Sequence, residues 1–182
     1  AVNTPTKTEN AINFNPVVSL NGTDAGLEIA NGILGTDTYT DIWVYTVVNN
    51  DVVKATNLFF EGMASSERFG SHLPWSDGKV YFDFAECCTS GRIETPASSV
   101  TINTPSLWTL STSTTTTTPS GFRKAISKDG KTITTSNNDM SLDTRTGNNS
   151  NFSIGFENAS NSNYFDGDIA EFIIYGSKPS AF

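Results

Sequence analysis

Asp166, Asp168 and Glu171 stand close together near the C-terminal end of the chain, in the run Asp166-Gly167-Asp168-Ile169-Ala170-Glu171. Carboxylates are the groups that cleave glycosidic bonds, and a retaining hydrolase needs a nucleophile and an acid about 5–5.5 Å apart. The competing reading is structural, with Glu171 hydrogen-bonded inside a closing strand and Asp166 and Asp168 shaping a turn. We adopt the structural reading and assign no catalytic residue. Other catalytic machinery is scarce. The chain has 1 His, His72, which excludes multi-histidine zinc sites. A serine triad would need that same residue, and no G-x-S-x-G nucleophile elbow occurs.

Recognition without chemistry is better supplied. Aromatic faces stack on the C–H-rich surfaces of sugars, and there are 3 Trp. Trp43 and Trp108 lie in strand-like runs and read as core, whereas Trp75, between Pro74 and a polar turn, reads as an exposed ring. It follows Arg68-Phe69-Gly70-Ser71-His72-Leu73-Pro74, which reads as a loop. The candidate ligand-binding set is therefore Trp75, His72, Arg68 and Arg92, with Tyr164 and Phe165 next in line. Cys87 and Cys88, the 2 Cys of the chain, are adjacent. As free thiols, as a bridge to another chain or as a vicinal ring they remain open alternatives, and so do two small buried residues at a bend. An oxidising compartment permits the ring, which would form a stiff apolar plate beside Arg92 and join the binding set.

Composition narrows the partners. The formal net charge is −8, and the 11 Lys+Arg are spread thinly, which disfavours nucleic acid and an anionic membrane surface. No apolar run reaches the ~18–20 residues of a membrane span, so insertion is not expected. Charged residues are only 16%, while Thr, Ser, Asn and Gly dominate the polar remainder, a balance suited to an exported protein. The first fifteen residues lack an apolar signal-peptide core, and the chain reads as a module of a longer protein.

The elements that must position these residues are strands. Period-2 patterning predicts them at 15–20, 27–29, 41–48, 57–62, 80–84, 92–94, 99–102, 106–111, 122–127, 131–135, 152–156 and 169–175. Asn49-Asn50-Asp51 reads as a turn, and Asp129-Gly130 predicts a tight hairpin. The Thr/Ser tract at 111–120 reads as an edge strand plus loop. No segment holds helical period over ten residues, so the chain is all-β, a sandwich or barrel. Length allows one domain, at 13–182, with 1–12 as an N-terminal extension or linker.

Several stretches, in order, resemble laminin-G-like or concanavalin A-like jelly-roll modules of large bacterial surface proteins. Asn13-Phe14-Asn15-Pro16-Val17-Val18-Ser19-Leu20-Asn21-Gly22-Thr23-Asp24 is similar to the family's opening strand and turn. Leu73-Pro74-Trp75-Ser76-Asp77-Gly78-Lys79-Val80-Tyr81-Phe82-Asp83-Phe84, then Cys87-Cys88 and Arg92, is similar to its middle. Lys128-Asp129-Gly130-Lys131 resembles its hairpin, and 165–175 its closing strand. The resemblance implies a two-sheet antiparallel jelly-roll sandwich, adhesion or carbohydrate binding, and a structural calcium. With the termini neighbours, Asp24, Asp166 and Asp168 are the oxygen ligands it implies. Retaining glucanases of the superfamily carry Glu-x-Asp-x-x-Glu mid-chain; here the first position is Asp166, one methylene short, and the run is C-terminal.

The expectation is a non-catalytic module, at the cell surface or outside the cell, that binds a surface glycan or polysaccharide beside other domains of a longer adhesin-type chain. A structural spacer is the first alternative. A glycoside hydrolase or lyase using Asp166, Asp168 and Glu171 is the second.

Overall fold

The computed structural model describes residues 2–34, 41–62, 68–85, 87–88, 90–113, 123–138 and 151–176. Two antiparallel sheets face each other, and no helix occurs among the described residues. One sheet orders β1(Thr6–Ile12), β2(Asn15–Asn21), β13(Asp166–Tyr175), β4(Ile42–Asn50), β9(Ser106–Thr112), β10(Lys124–Lys128) and β11(Lys131–Ser136). The other orders β3(Leu27–Ile29), β12(Phe152–Ile154), β5(Phe59–Glu61), β6(Arg68–His72), β7(Tyr81–Ala85) and β8(Arg92–Glu94). The chain crosses between the sheets repeatedly, so the closing strand β13 lies centrally between β2 and β4. This is the two-sheet jelly-roll sandwich that the resemblance implies.

Alternation explains the core. Ile42, Val44 and Val48 of β4 point inward with Leu110 of β9 and Ile126 of β10. Facing them are Phe59, Phe69, Phe82, Phe84 and Phe152; Phe69 meets Phe59, Phe82 and Phe84 at tilted or edge-on angles, and Phe152 stacks on Phe59 and Phe69. Trp108 joins this core, and its ring also carries the Lys128 ammonium 5.3 Å from its centroid. Trp43 is equally buried but takes the opposite face of β4, outside that cluster.

Two strands escape the hydrophobic pattern. Residues 1–12 were expected outside the sandwich, yet Thr6–Ile12 pairs with β2 as an edge strand. Its side chains are exposed except at Ile12, so no alternation marks it. Residues 68–72, expected as a loop, form β6 between β5 and β7. Conversely, 99–102 is no strand, contributing only the bridge between Ile102 and Asn50. Asn49 and Asn50 end β4 rather than turning. The Asp129-Gly130 hairpin forms as expected, with φ of 51° and 78°. The Thr/Ser tract from 114 to 120 and Phe122 lie outside the described residues.

Gly167 shows how tightly β13 is seated. Its φ is 141°, and a Cβ there would overlap the backbone carbonyl of Asn49 on β4. Gly130 also has positive φ, 78°, but open space around it. Gly167→Ala is therefore expected to cost about 2–3 kcal/mol or more, against about 1 kcal/mol for Gly130→Ala, in urea unfolding followed by tryptophan fluorescence.

Candidate functional site

The outer face of the six-stranded sheet is not the solvated surface that an antiparallel sandwich usually presents. Register places Phe60, Gly70, Asp83 and Arg92 in one row across β5, β6, β7 and β8. His72, Tyr81 and Glu94 form the next row, and Arg68 lies opposite Ala85. Arg68, Phe60, Asp83, Arg92, His72, Tyr81 and Glu94 alternate with core residues and so point away from the core, whereas Ala85 belongs to the core. Even so, Asp83 is 0% exposed and Phe60 only 3%. Guanidiniums and loops cover them.

Asp83 organises the cluster. Arg92 clasps it with two donors, Nε to Oδ1 at 2.5 Å and Nη2 to Oδ2 at 2.7 Å. Arg68 Nε lies 3.0 Å from Oδ2, an ion pair by distance whose N–H is not aimed at the oxygen. Burial opposes the charge on Arg92, and the Asp83 carboxylate more than restores it. Each guanidinium also covers a ring: Arg68 sits 4.9 Å from the Phe60 centroid and Arg92 4.7 Å from that of Tyr81. Gly70 lets this layer lie close, because a Cβ there would come within 3.1 Å of the Phe59 carbonyl and 3.2 Å of the Phe60 ring.

His72 is fixed rather than reactive. Its Nδ1 lies 3.0 Å from the Thr56 carbonyl and so carries the hydrogen, leaving Nε2 to accept from Arg68 Nη2 at 3.1 Å. Burial first, then the Arg68 charge, pushes its pKa down to about 4. The ring is thus neutral near pH 7. It meets Trp75 edge-on at 4.4 Å between centroids. The connection carrying Trp75 is held by Thr56, which donates from N and Oγ1 to the Pro74 carbonyl, and by Asn50, which donates to that of Leu73.

Cys87 and Cys88 are joined as a vicinal disulfide, and Cys88 is exposed. Their connection, between β7 and β8, is anchored from below by the fully buried Lys124, whose Nζ donates to the carbonyls of Ser90 and Gly91. Arg68, His72, Trp75, Tyr81, Cys88 and Arg92 then line a cavity of about 260 Å³, with Glu157 and Asn163 from the segment before β13 completing its wall. All the expected binding residues except Cys87 line this one cavity. Tyr81, Asp83, Glu157 and Asn163 escaped the sequence reading. A usable signal existed for Asp83: a lone carboxylate at the centre of the aromatic run Tyr81-Phe82-Asp83-Phe84, one strand before an arginine. Nothing local marks Glu157 or Asn163.

Other expectations need correction. Phe165 is fully buried in the core, and Tyr164 stacks on Phe156 instead of lining this cavity. Asp24, Asp166 and Asp168, expected as calcium ligands, are each engaged by protein partners. Lys54 Nζ bonds both Asp166 Oδ2 and the Gly22 carbonyl at 2.9 Å. Asp168 accepts from Ser19, and Asp24 from Asn3 and Asn21 within its own turn. Among the described residues no three acidic, His or Cys side chains are grouped to hold a metal. Glu171 lies beyond a register shift in β13 and lines a different small cavity, which neither Asp166 nor Asp168 enters. A larger cavity of about 550 Å³ opens between the sheets, lined by Ile33, Leu34, Phe152, Phe172 and other residues with no polar side chain to orient a ligand.

No protein-family model matches the chain, and no curated protein matches it. Solved structures do. The laminin α1 LG4-5 domains of mouse superpose with a TM-score of 0.61 at 16% identity, over 93% of this chain and 41% of that one. The fold is a laminin-G-like, concanavalin A-like jelly roll. Other members of this jelly-roll group fit as well. Domain 4 of AbnA, a GH43 extracellular arabinanase from Geobacillus stearothermophilus solved with arabinotriose, gives a TM-score of 0.68 at 16% identity, covering 95% and 75%. The CBM40 of Ruminococcus gnavus IT-sialidase, bound to α2,3 sialyllactose, gives 0.61 at 12% identity, covering 98% and 95%. At such identities the likeness shows the jelly roll alone.

The depressed pKa of His72 has a stability consequence. Unfolded, the ring takes a proton near pH 6.5; folded, it resists until about 4. Stability is therefore full above pH 6.5 and drains as pH falls from there toward 4. His72→Gln, which keeps a donor and an acceptor, is expected to remove this dependence. Between pH 7 and 4.5 the parent should lose about 2 kcal/mol more than the variant in urea unfolding.

Proposed function

We propose that the domain binds carbohydrate, without chemistry, in the cavity over β6, β7 and β8. The observation that carries this reading is the combination in one cavity of apolar surface from Trp75, Tyr81 and Cys88 with polar groups whose positions are already fixed. Sugars present alternating C–H faces and hydroxyls, and such a lining meets both. Rigid arginines and a locked imidazole lose little freedom when a ligand arrives, which favours affinity. The two jelly-roll neighbours solved with arabinotriose and sialyllactose support the same reading.

His72 and Asp83 are ill suited to proton transfer. Both nitrogens of His72 are engaged and the Asp83 carboxylate is held by two arginines. The alternative hydrolase reading needs Asp166 free beside Glu171, yet Asp166 is paired with Lys54. Placement outside the cell is supported by the Cys87–Cys88 disulfide, which an oxidising compartment sustains, and a surface protein of adhesin type is the proposed setting. A single small site binds modestly, and repetition in a longer chain would supply avidity.

The test is a glycan array followed by calorimetry. Trp75→Ala is expected to weaken binding at least about tenfold, roughly 1.4 kcal/mol, while Glu171→Gln leaves it unchanged. Failure of the parent domain to bind any glycan, or full binding by Trp75→Ala, contradicts the proposal and favours a spacer.

A further inference from the structure

Resting on that reading, we infer that the cavity takes the uncharged terminal residue of a glycan end-on, and not an internal stretch of chain or an acidic sugar. Size is the first reason. About 260 Å³ falls below the ~300–1,000 Å³ of pockets for drug-sized ligands, which leaves room for one pyranose or furanose ring. Shape is the second. The base comes from β6, β7 and β8, while Trp75, Cys88 and Glu157 rise from three different connections around it. A chain laid along the sheet would need a clear run across it, and side chains from these three connections stand in the wall of the cavity instead.

The unused hydrogen-bonding capacity gives the third reason. Arg92 spends Nε and Nη2 on Asp83 and Arg68 spends Nη2 on His72, and neither Nη1 has a partner among the described residues. Glu157 accepts from Asn163 through Oε2, which leaves Oε1 without a partner among the described residues. The cavity therefore offers both donors and acceptors. A sugar hydroxyl donates and accepts at once and can use both. A carboxylate only accepts and would be set against Glu157. Charge agrees: among the described residues Arg68 and Arg92 are balanced by Asp83 and Glu157, and His72 adds none near pH 7.

Calorimetry on the intact domain distinguishes the outcomes. The probes are methyl glycosides of neutral hexoses and pentoses, arabinotriose, trigalacturonate and sialyllactose. The expected result is a neutral monosaccharide glycoside that binds within about threefold of its own trisaccharide. Its Kd should change less than about twofold when ionic strength rises from about 0.01 M to 1 M, which cuts the Debye length from about 30 Å to 3 Å. Glu157→Gln should weaken that binding, and would strengthen it if the ligand were acidic. Affinity that climbs steadily with chain length, or an acidic sugar preferred with strong salt dependence, overturns the inference while leaving carbohydrate binding intact. No binding by any probe or on the array overturns both.

Discussion

One buried carboxylate sets the terms for the outer face of the six-stranded sheet. Asp83 sits at the centre of a strand whose neighbours in sequence, Phe82 and Phe84, fill the core, so alternation forces its side chain outward. It is nevertheless fully buried. An ionised carboxylate removed from water costs several kcal/mol unless paired and hydrogen-bonded. The pairing must come from across the strands, and β6 and β8 supply Arg68 and Arg92. Reaching it brings those arginines over the rings of Phe60 and Tyr81. The lining of the cavity follows from that packing.

The two faces of this sheet therefore do different work. Inside, interlocking phenylalanines hold the sandwich together by burial of apolar area, which is tolerant of chemical detail. Outside, a charged layer fixes side chains in particular positions, which burial alone does not do. Loops that roof this layer are themselves tied to the frame: Trp75 through Thr56 and Asn50, and the disulfide-bearing connection through Lys124. The groups lining the cavity are thus mounted on elements tied to the frame.

Sequence patterning showed most of the fold because an inward phenylalanine or isoleucine every second residue leaves a clear mark. It failed where that mark is absent. β1 is an exposed edge held by backbone pairing alone, and β6 carries a single core residue, Phe69, between polar neighbours. The loss of β6 mattered most, since it hid the registration of Arg68 and His72 with β7. The expected residues Trp75, His72, Arg68, Arg92 and Cys88 still fall together around one cavity, because they lie within one stretch of chain. Glu157 and Asn163 join them only through tertiary folding, far along the sequence. The pairing of Asp166 was hidden for a related reason: that the termini meet says nothing of Lys54, which arrives from a distant connection to reach Asp166.

The measurement that bears most directly on this account is the unfolding free energy of Asp83→Asn, with its carbohydrate affinity, against the parent domain. The substitution keeps shape and removes charge, leaving two guanidiniums without their counter-ion. The account predicts a domain that remains all-β by circular dichroism, is destabilised by about 3–5 kcal/mol and has lost its ligand. Asp83→Asn with unchanged stability and unchanged binding would contradict it.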